Sequence, residues 1–209
     1  AVFKLLLGAR AKRGAIDFDS VETQMIFDDK GKIERIVRVQ RNDAHRLIEE
    51  CMIAANVEAA GFLKKHKLPA LFRIHGKPDE ERMEDLKRFL SMRGVHLDIT
   101  GDLTPARLQK TLKLIAGRPD AGVLENSIIR SLPQALYQPM NIGHFGLALE
   151  EYAHFTSPIR RYPDLLVHRG IRHALAGGTS ANFDHSPREM ELLGQECSMR
   201  ERKADEAAR

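Results

Sequence analysis

Two adjacent arginines, Arg160 and Arg161, follow Thr156-Ser157-Pro158 in the stretch from Glu150 to Arg169. A hydroxyl residue can accept from the free N–H groups of a helix start, and proline is tolerated in the first turn because its missing N–H costs nothing there. The spacing predicts a helix beginning at this turn, with both arginines in its first turn. A helix N-terminus already carries partial positive charge, so a basic pair there is unfavourable unless an anion joins it. Backbone N–H groups, the dipole and two guanidinium forks together describe a phosphate site. The bland alternative is a pair that is solvated or matched to nearby carboxylates. Leu165, Leu166 and Ile171, with Asp164, His168 and Arg172 at i, i+4 spacing, continue an amphipathic helix to Gly177-Gly178. Asp164 and His168 could be an acid–base couple, although spacing alone favours a structural pair.

The elements that must position this turn alternate irregularly. A helix over 1–12 ends at Gly14, and strands over 15–27 and 33–39 flank the polar turn Asp28-Asp29-Lys30-Gly31-Lys32 as a hairpin. Asn42 is expected to cap a long helix running to about Lys65, with Ala44, Leu47, Ile48, Cys51, Ala55, Ala59 and Phe62 near one stripe. A short strand over 71–75 follows, and Pro78-Asp79, Thr104-Pro105 and Pro119-Asp120 mark three more helix starts. Residues 135–140 and 144–155 read as strand-like. The segment 186–209 reads as a charged helix packing through Leu192, Leu193, Cys197 and Met199. This mixture is α+β rather than a regular βαβ alternation.

Composition narrows the class without naming a function. A chain of 209 residues with 43% hydrophobic content can bury a sizeable core. The net charge of +4 permits a nucleic-acid groove without requiring one, because clustering of charge matters more than its total. Cys51 and Cys197 are far apart in helical contexts, which argues against a disulfide framework or a CxxC metal site and fits a reducing cytoplasm. No apolar run approaches a membrane span, and the start Ala-Val-Phe-Lys lacks signal-peptide regions and an initiator Met, as an excised piece would.

His154-Phe-Thr-Ser-Pro-Ile-Arg-Arg-Tyr-Pro-Asp-Leu-Leu-Val-His-Arg169 closely resembles the signature of the ribonuclease II and ribonuclease R family, with wording nearer its ribonuclease R branch. Arg13-Gly-Ala-Ile-Asp-Phe-Asp19, the run from Asn42 to Asn56, Phe72-Arg-Ile-His75 and His144-Phe-Gly-Leu-Ala-Leu149 resemble further family segments in the family's order, so almost the whole chain is covered. The resemblance implies an RNB-type catalytic domain, with helices packed on a curved antiparallel or mixed sheet around a channel for single-stranded RNA. It implies a magnesium-dependent exoribonuclease that works processively from the 3′ end and releases nucleoside 5′-monophosphates.

Three positions match the family's active-site pattern individually. Arg160 corresponds to an arginine set against the phosphate beside the scissile bond, Glu50 to a glutamate contacting the RNA 3′ end, and Phe18 to an aromatic residue stacking on a terminal base. Arg161 is a further RNA-binding candidate. Each has a structural alternative: Phe18 as core, Glu50 as a solvent-facing acid, Arg161 as the partner of a buried acid such as Asp164, and Tyr137, Tyr152 and Tyr162 as packing residues. Arg73 and His75 receive no chemical step. His144 and His154 are read as structural or RNA-facing, since magnesium prefers oxygen ligands.

The family's aspartate cluster has no convincing copy here. Asp28-Asp29 falls in the hairpin turn and Asp17 and Asp19 flank Phe18. Residues 1–209 are therefore expected to be a C-terminal portion of an RNB catalytic domain, supplying no metal ligands, with cold-shock and S1 domains elsewhere in the parent protein. The alternative is a non-catalytic RNA-binding or interaction module derived from such a domain.

Overall fold

In this computed structural model the described residues are 2–17, 22–39, 42–101 and 103–208. They run α1 (Val2–Arg13), β1 (Glu22–Phe27), β2 (Ile33–Val39), α2 (Asp43–Lys65), β3 (Phe72–Ile74), α3 (Glu80–Ser91), α4 (Pro105–Ile115), α5 (Ala121–Ser131), β4 (Leu136–Gln138), α6 (Tyr162–Leu175) and α7 (Pro187–Ala207). The α+β class holds, with its strands in two antiparallel pairs, β1–β2 and β3–β4.

Three helix starts follow from side-chain capping. Asn42 accepts from His45 N, Asp79 from Arg82 N and Ser186 from Glu189 N, so α2, α3 and α7 each begin on a side chain that satisfies an orphan N–H. In the hairpin turn, Asp28 Oδ1 accepts from the backbone of both Lys30 and Lys32, and Gly31 takes a positive φ of 74°.

The signature helix begins later than its hydroxyl-proline turn predicts. Residues 158–160 form a turn, and α6 starts at Tyr162 with Arg161 as its N-cap. Pro163 supplies the reason. In a helix begun at Ser157 it would fall in the interior, where its ring clashes with a carbonyl and removes a backbone bond; in α6 it lies in the first turn, where neither penalty applies.

The α2 stripe is also rotated from the expected one. Glu50, Ile53, Asn56, Ala59, Ala60 and Leu63 face inward, whereas Ile48 and Cys51 are exposed. An apolar-only pattern misses this face because two of its members are polar and find partners far along the chain. Similarly, α7 buries Met190, Gly194 and Ser198, with Leu193 and Cys197 packed beside them, while Leu192 and Met199 are exposed.

One core joins α3, α4 and α5 through Leu86, Leu90, Leu108, Leu112, Ile115, Leu124 and Ile128. A second packs α2 and α6 on β3 through Ala60, Leu63, Phe72, Ile74 and Val167. The third wedges Met190 of α7 against Leu71, Tyr137 and Leu166.

The β3–β4 pair is the platform beneath the signature segment. Arg73 N donates to Tyr152 O at 2.8 Å, which holds the extended residues 152–155 along the outer side of β3. On the far side of β4, Tyr137 N donates to Ser198 Oγ at 2.9 Å, so a helix hydroxyl stands where a further strand would. Residues 144–155 are accordingly extended only in part: Phe145–Leu147 is a single 3₁₀ turn.

Candidate nucleic-acid interface

The turn bearing Arg160 is built from both directions. From α2, Asn56 sends its Nδ2 to Tyr152 Oη at 2.8 Å and accepts from Phe155 N at 2.9 Å, clamping the extended segment that leads into the turn. From α6, the fully buried Asp164 uses one oxygen, Oδ1, to accept from Ser157 N at 2.8 Å and from Arg161 Nη2 at 2.7 Å. Ser157 O in turn accepts from Arg160 N and Arg161 N, at 3.3 and 3.0 Å.

The two arginines therefore separate. Arg161 is turned inward onto Asp164, as its structural alternative anticipated, while Arg160 is exposed and, among the described residues, makes no ion pair. Asp164 and His168 do not pair. His168 instead contacts Phe155 O through Nε2 at 2.9 Å and stacks on the Phe155 ring with centroids 4.2 Å apart.

Behind the turn lies a chain of rings. His75 and His144 stand 5.1 Å apart between centroids, His144 and Tyr152 5.4 Å, Tyr152 and His154 5.7 Å, and His154 and Tyr137 5.5 Å. Arg73 closes it, with its guanidinium 4.5 Å from the Tyr137 ring centroid and a 2.7 Å bond to Glu201.

Burial, then the positive charge of Arg161, Arg73 and Arg160 with His144 between, pushes His154 down to about 3. His144 is likewise pushed down to about 3, by burial first and then by His75 and Arg73. Both imidazoles are neutral near pH 7, and burial pushes Tyr137 up to about 12. His75 Nδ1 accepts from Gly146 N, which leaves its proton on Nε2 to donate to Pro133 O. His75, unassigned from sequence, is thus a scaffold residue. The wall carries no imidazolium, and its charge is that of guanidinium groups.

Glu50 sits in a different nest. It is buried against Arg10, whose guanidinium also reaches Glu49, Asp17 and Ile16 O. Among the described residues no hydrogen bond or ion pair joins Glu50 to Arg160; α2 connects them indirectly, through Asn56. Phe18 lies outside the described residues.

No three of His, Cys, Asp or Glu gather as a metal site among the described residues. Asp17 is engaged by Arg10 and Arg46, Asp28 by its own turn, and Asp164 by Ser157 and Arg161. Among the described residues, then, the acids do not form a magnesium site.

Sequence reading missed Asn56, Arg10 and the ring chain. The available signal for Asn56 was a polar residue at a helix position whose i±3 and i±4 neighbours are apolar, Met52, Ile53, Ala59 and Ala60; Arg10, with Arg13 three positions on, carries no such signal. What the geometry offers chemically is an exposed guanidinium with no ion pair among the described residues, on a turn whose backbone is hydrogen-bonded to Ser157 O, suited to a phosphate.

The family described as RNB domain matches residues 2–177. The chain is 50% identical over 216 residues to Ribonuclease R of Escherichia coli (strain K12), covering all of this chain and 27% of that protein. Among solved structures, the apo form of Mycoplasma genitalium RNase R matches with a TM-score of 0.89 at 26% identity, over 96% of this chain and 32% of that one. The same protein in complex with ribose methylated single-stranded RNA matches at 0.88, with the same identity and coverage. The chain spans about a quarter of the length of the curated relatives it matches, 27% for the Escherichia coli protein.

Proposed function

Because the chain belongs to the RNB domain family, we propose that it is part of the catalytic domain of a 3′-to-5′ exoribonuclease that degrades single-stranded RNA processively to nucleoside 5′-monophosphates. The observation that carries this reading is the mounting of Arg160. Its backbone is held by Ser157 O and its side chain is exposed without a carboxylate partner among the described residues. A guanidinium placed beside the scissile phosphate stabilises charge growing on the equatorial oxygens, which lowers the barrier more than equal binding of the ground state would.

Glu50 serves the 3′ end in this reading. Arg10 occupies Oε1 and leaves Oε2 to accept from a ribose hydroxyl, the group that distinguishes RNA from DNA. Phe18 stacks on the terminal base. The Mycoplasma genitalium relative captured with single-stranded RNA supports the choice of substrate. Carboxylates of the remaining RNB segment of the parent enzyme would hold magnesium, which would supply water activation and charge neutralisation at the leaving oxygen. Cold-shock and S1 domains accompany it there, and the enzyme is cytoplasmic.

A second reading, a non-catalytic RNA-binding module, draws on the lack of a metal cluster among the described residues. One experiment separates the two. In the full-length protein, Arg160→Ala is expected to lower turnover of single-stranded RNA about 10²–10³-fold while changing RNA affinity far less. A full-length protein without turnover supports the second reading, and equal loss of affinity and turnover counts against the transition-state role.

A further inference from the structure

We infer that Asp164 is the positioning residue for Arg160, acting as a latch that fixes the Ser157–Arg161 turn; the inference rests on the reading of Arg160 above. Its single oxygen Oδ1 takes hydrogen bonds from both ends of that turn, Ser157 N at 2.8 Å and Arg161 Nη2 at 2.7 Å. Ser157 O accepts from Arg160 N and Arg161 N, so the five residues form a loop closed on one carboxylate. Asp164 is fully buried and both bonds to it are part-buried and charge-assisted, so water screens them less than it would surface bonds and they are stiffer.

Little else holds the outer part of the turn. Ile159 is completely exposed and Arg160 is exposed too, so apolar packing does not set where the Arg160 guanidinium points. Arg161 is the strap of the latch rather than a second phosphate ligand. Loosening the latch misplaces Arg160 while leaving its charge and chemistry intact, and a displacement of about 1 Å from productive geometry costs on the order of 100-fold in rate.

The test is a double-mutant cycle in the full-length enzyme with single-stranded RNA under single-turnover conditions. Asp164→Asn keeps the size and one acceptor but loses the charge that binds Arg161. It is expected to lower the chemical rate by about 10–100-fold, with RNA affinity changed less than about 3-fold. In an Arg160→Ala background the same substitution is expected to lose less than about 3-fold, because the group it positions is gone. Should Asp164→Asn fail to fold, Arg161→Gln cuts the latch from its other, partly exposed side and carries the same expectations. An unchanged rate in the folded single variant, or an equal loss in both backgrounds, overturns the inference. If Arg160→Ala alone leaves the rate intact, the failure belongs to the assigned role of Arg160 instead.

Discussion

Arg10 Nη1 donates to Glu50 Oε1 at 2.7 Å, and the two side chains are buried against each other forty positions apart in sequence. The pair pins α1 to α2, and the same guanidinium holds Asp17 and Ile16 O. Any role of Glu50 at an RNA 3′ end therefore depends on Arg10 to orient the carboxylate and balance its charge.

Removing Arg10 strands a buried carboxylate. Arg10→Met is expected to cost about 3–5 kcal/mol of stability, and pairing it with Glu50→Leu to restore much of that loss, because two apolar groups leave no unpaired charge. Denaturant midpoints of the single and double variants check this. Equal destabilisation by both would mean that packing, not charge, dominates.

Asn56 closes one buried and one part-buried bond at once, so its loss should exceed that of either partner. Asn56→Ala leaves Phe155 N and Tyr152 Oη without their partner, at about 1–3 kcal/mol for each stranded group. Tyr152→Phe breaks only the first bond and should cost less. If the two variants shift the unfolding midpoint alike, the bond to Phe155 N contributes nothing.

Acid should weaken the fold before the carboxylates titrate. His144 and His154 are held down to about 3 in the folded protein, against 6.5 ordinarily, so between those values the unfolded chain binds protons that the folded one refuses. Their stabilisation is fully present above about 6.5 and is lost as pH falls toward 3, by at most about 1.4 kcal/mol per pH unit for each histidine. Unfolding midpoints measured from pH 7.5 to 4.5 should decline, and His154→Asn should flatten the slope. A level profile over that range would contradict the burial of both rings.

Gly194 lets α7 touch the platform. A Cβ there would stand 2.5 Å from Tyr137 O, a backbone atom that cannot swing aside. Gly194→Ala should therefore push α7 off β4, strain the bond from Tyr137 N to Ser198 Oγ and cost about 1–3 kcal/mol. Hydrogen exchange at the Tyr137 amide reads the displacement directly. Unchanged protection there would show that the helix accommodates the methyl.

Local chemistry was legible in the sequence wherever a residue acts on its near neighbours. Asn42, Asp79 and Ser186 cap the helices they were expected to start, the Asp28–Lys32 turn makes its hairpin, and the run from His154 to Arg169 identified the family. The same local reasoning misplaced the start of α6, because it weighed Ser157-Pro158 without the stronger constraint of Pro163. Phe18 lies outside the described residues, so its place rests on sequence alone.

Tertiary structure decided what each polar residue is for. Composition cannot reveal that Glu50 meets Arg10, that Asn56 meets Phe155 and Tyr152, or that Arg73 lies over Tyr137, since those partners are brought together from 40, 99 and 96 positions away or across the β3–β4 pair. It also decided between two identical side chains. Arg160 and Arg161 are the same residue in sequence, and differ because one faces a buried carboxylate and the other faces solvent. A guanidinium takes its function from the charge and water around it, and those are set by packing between distant segments.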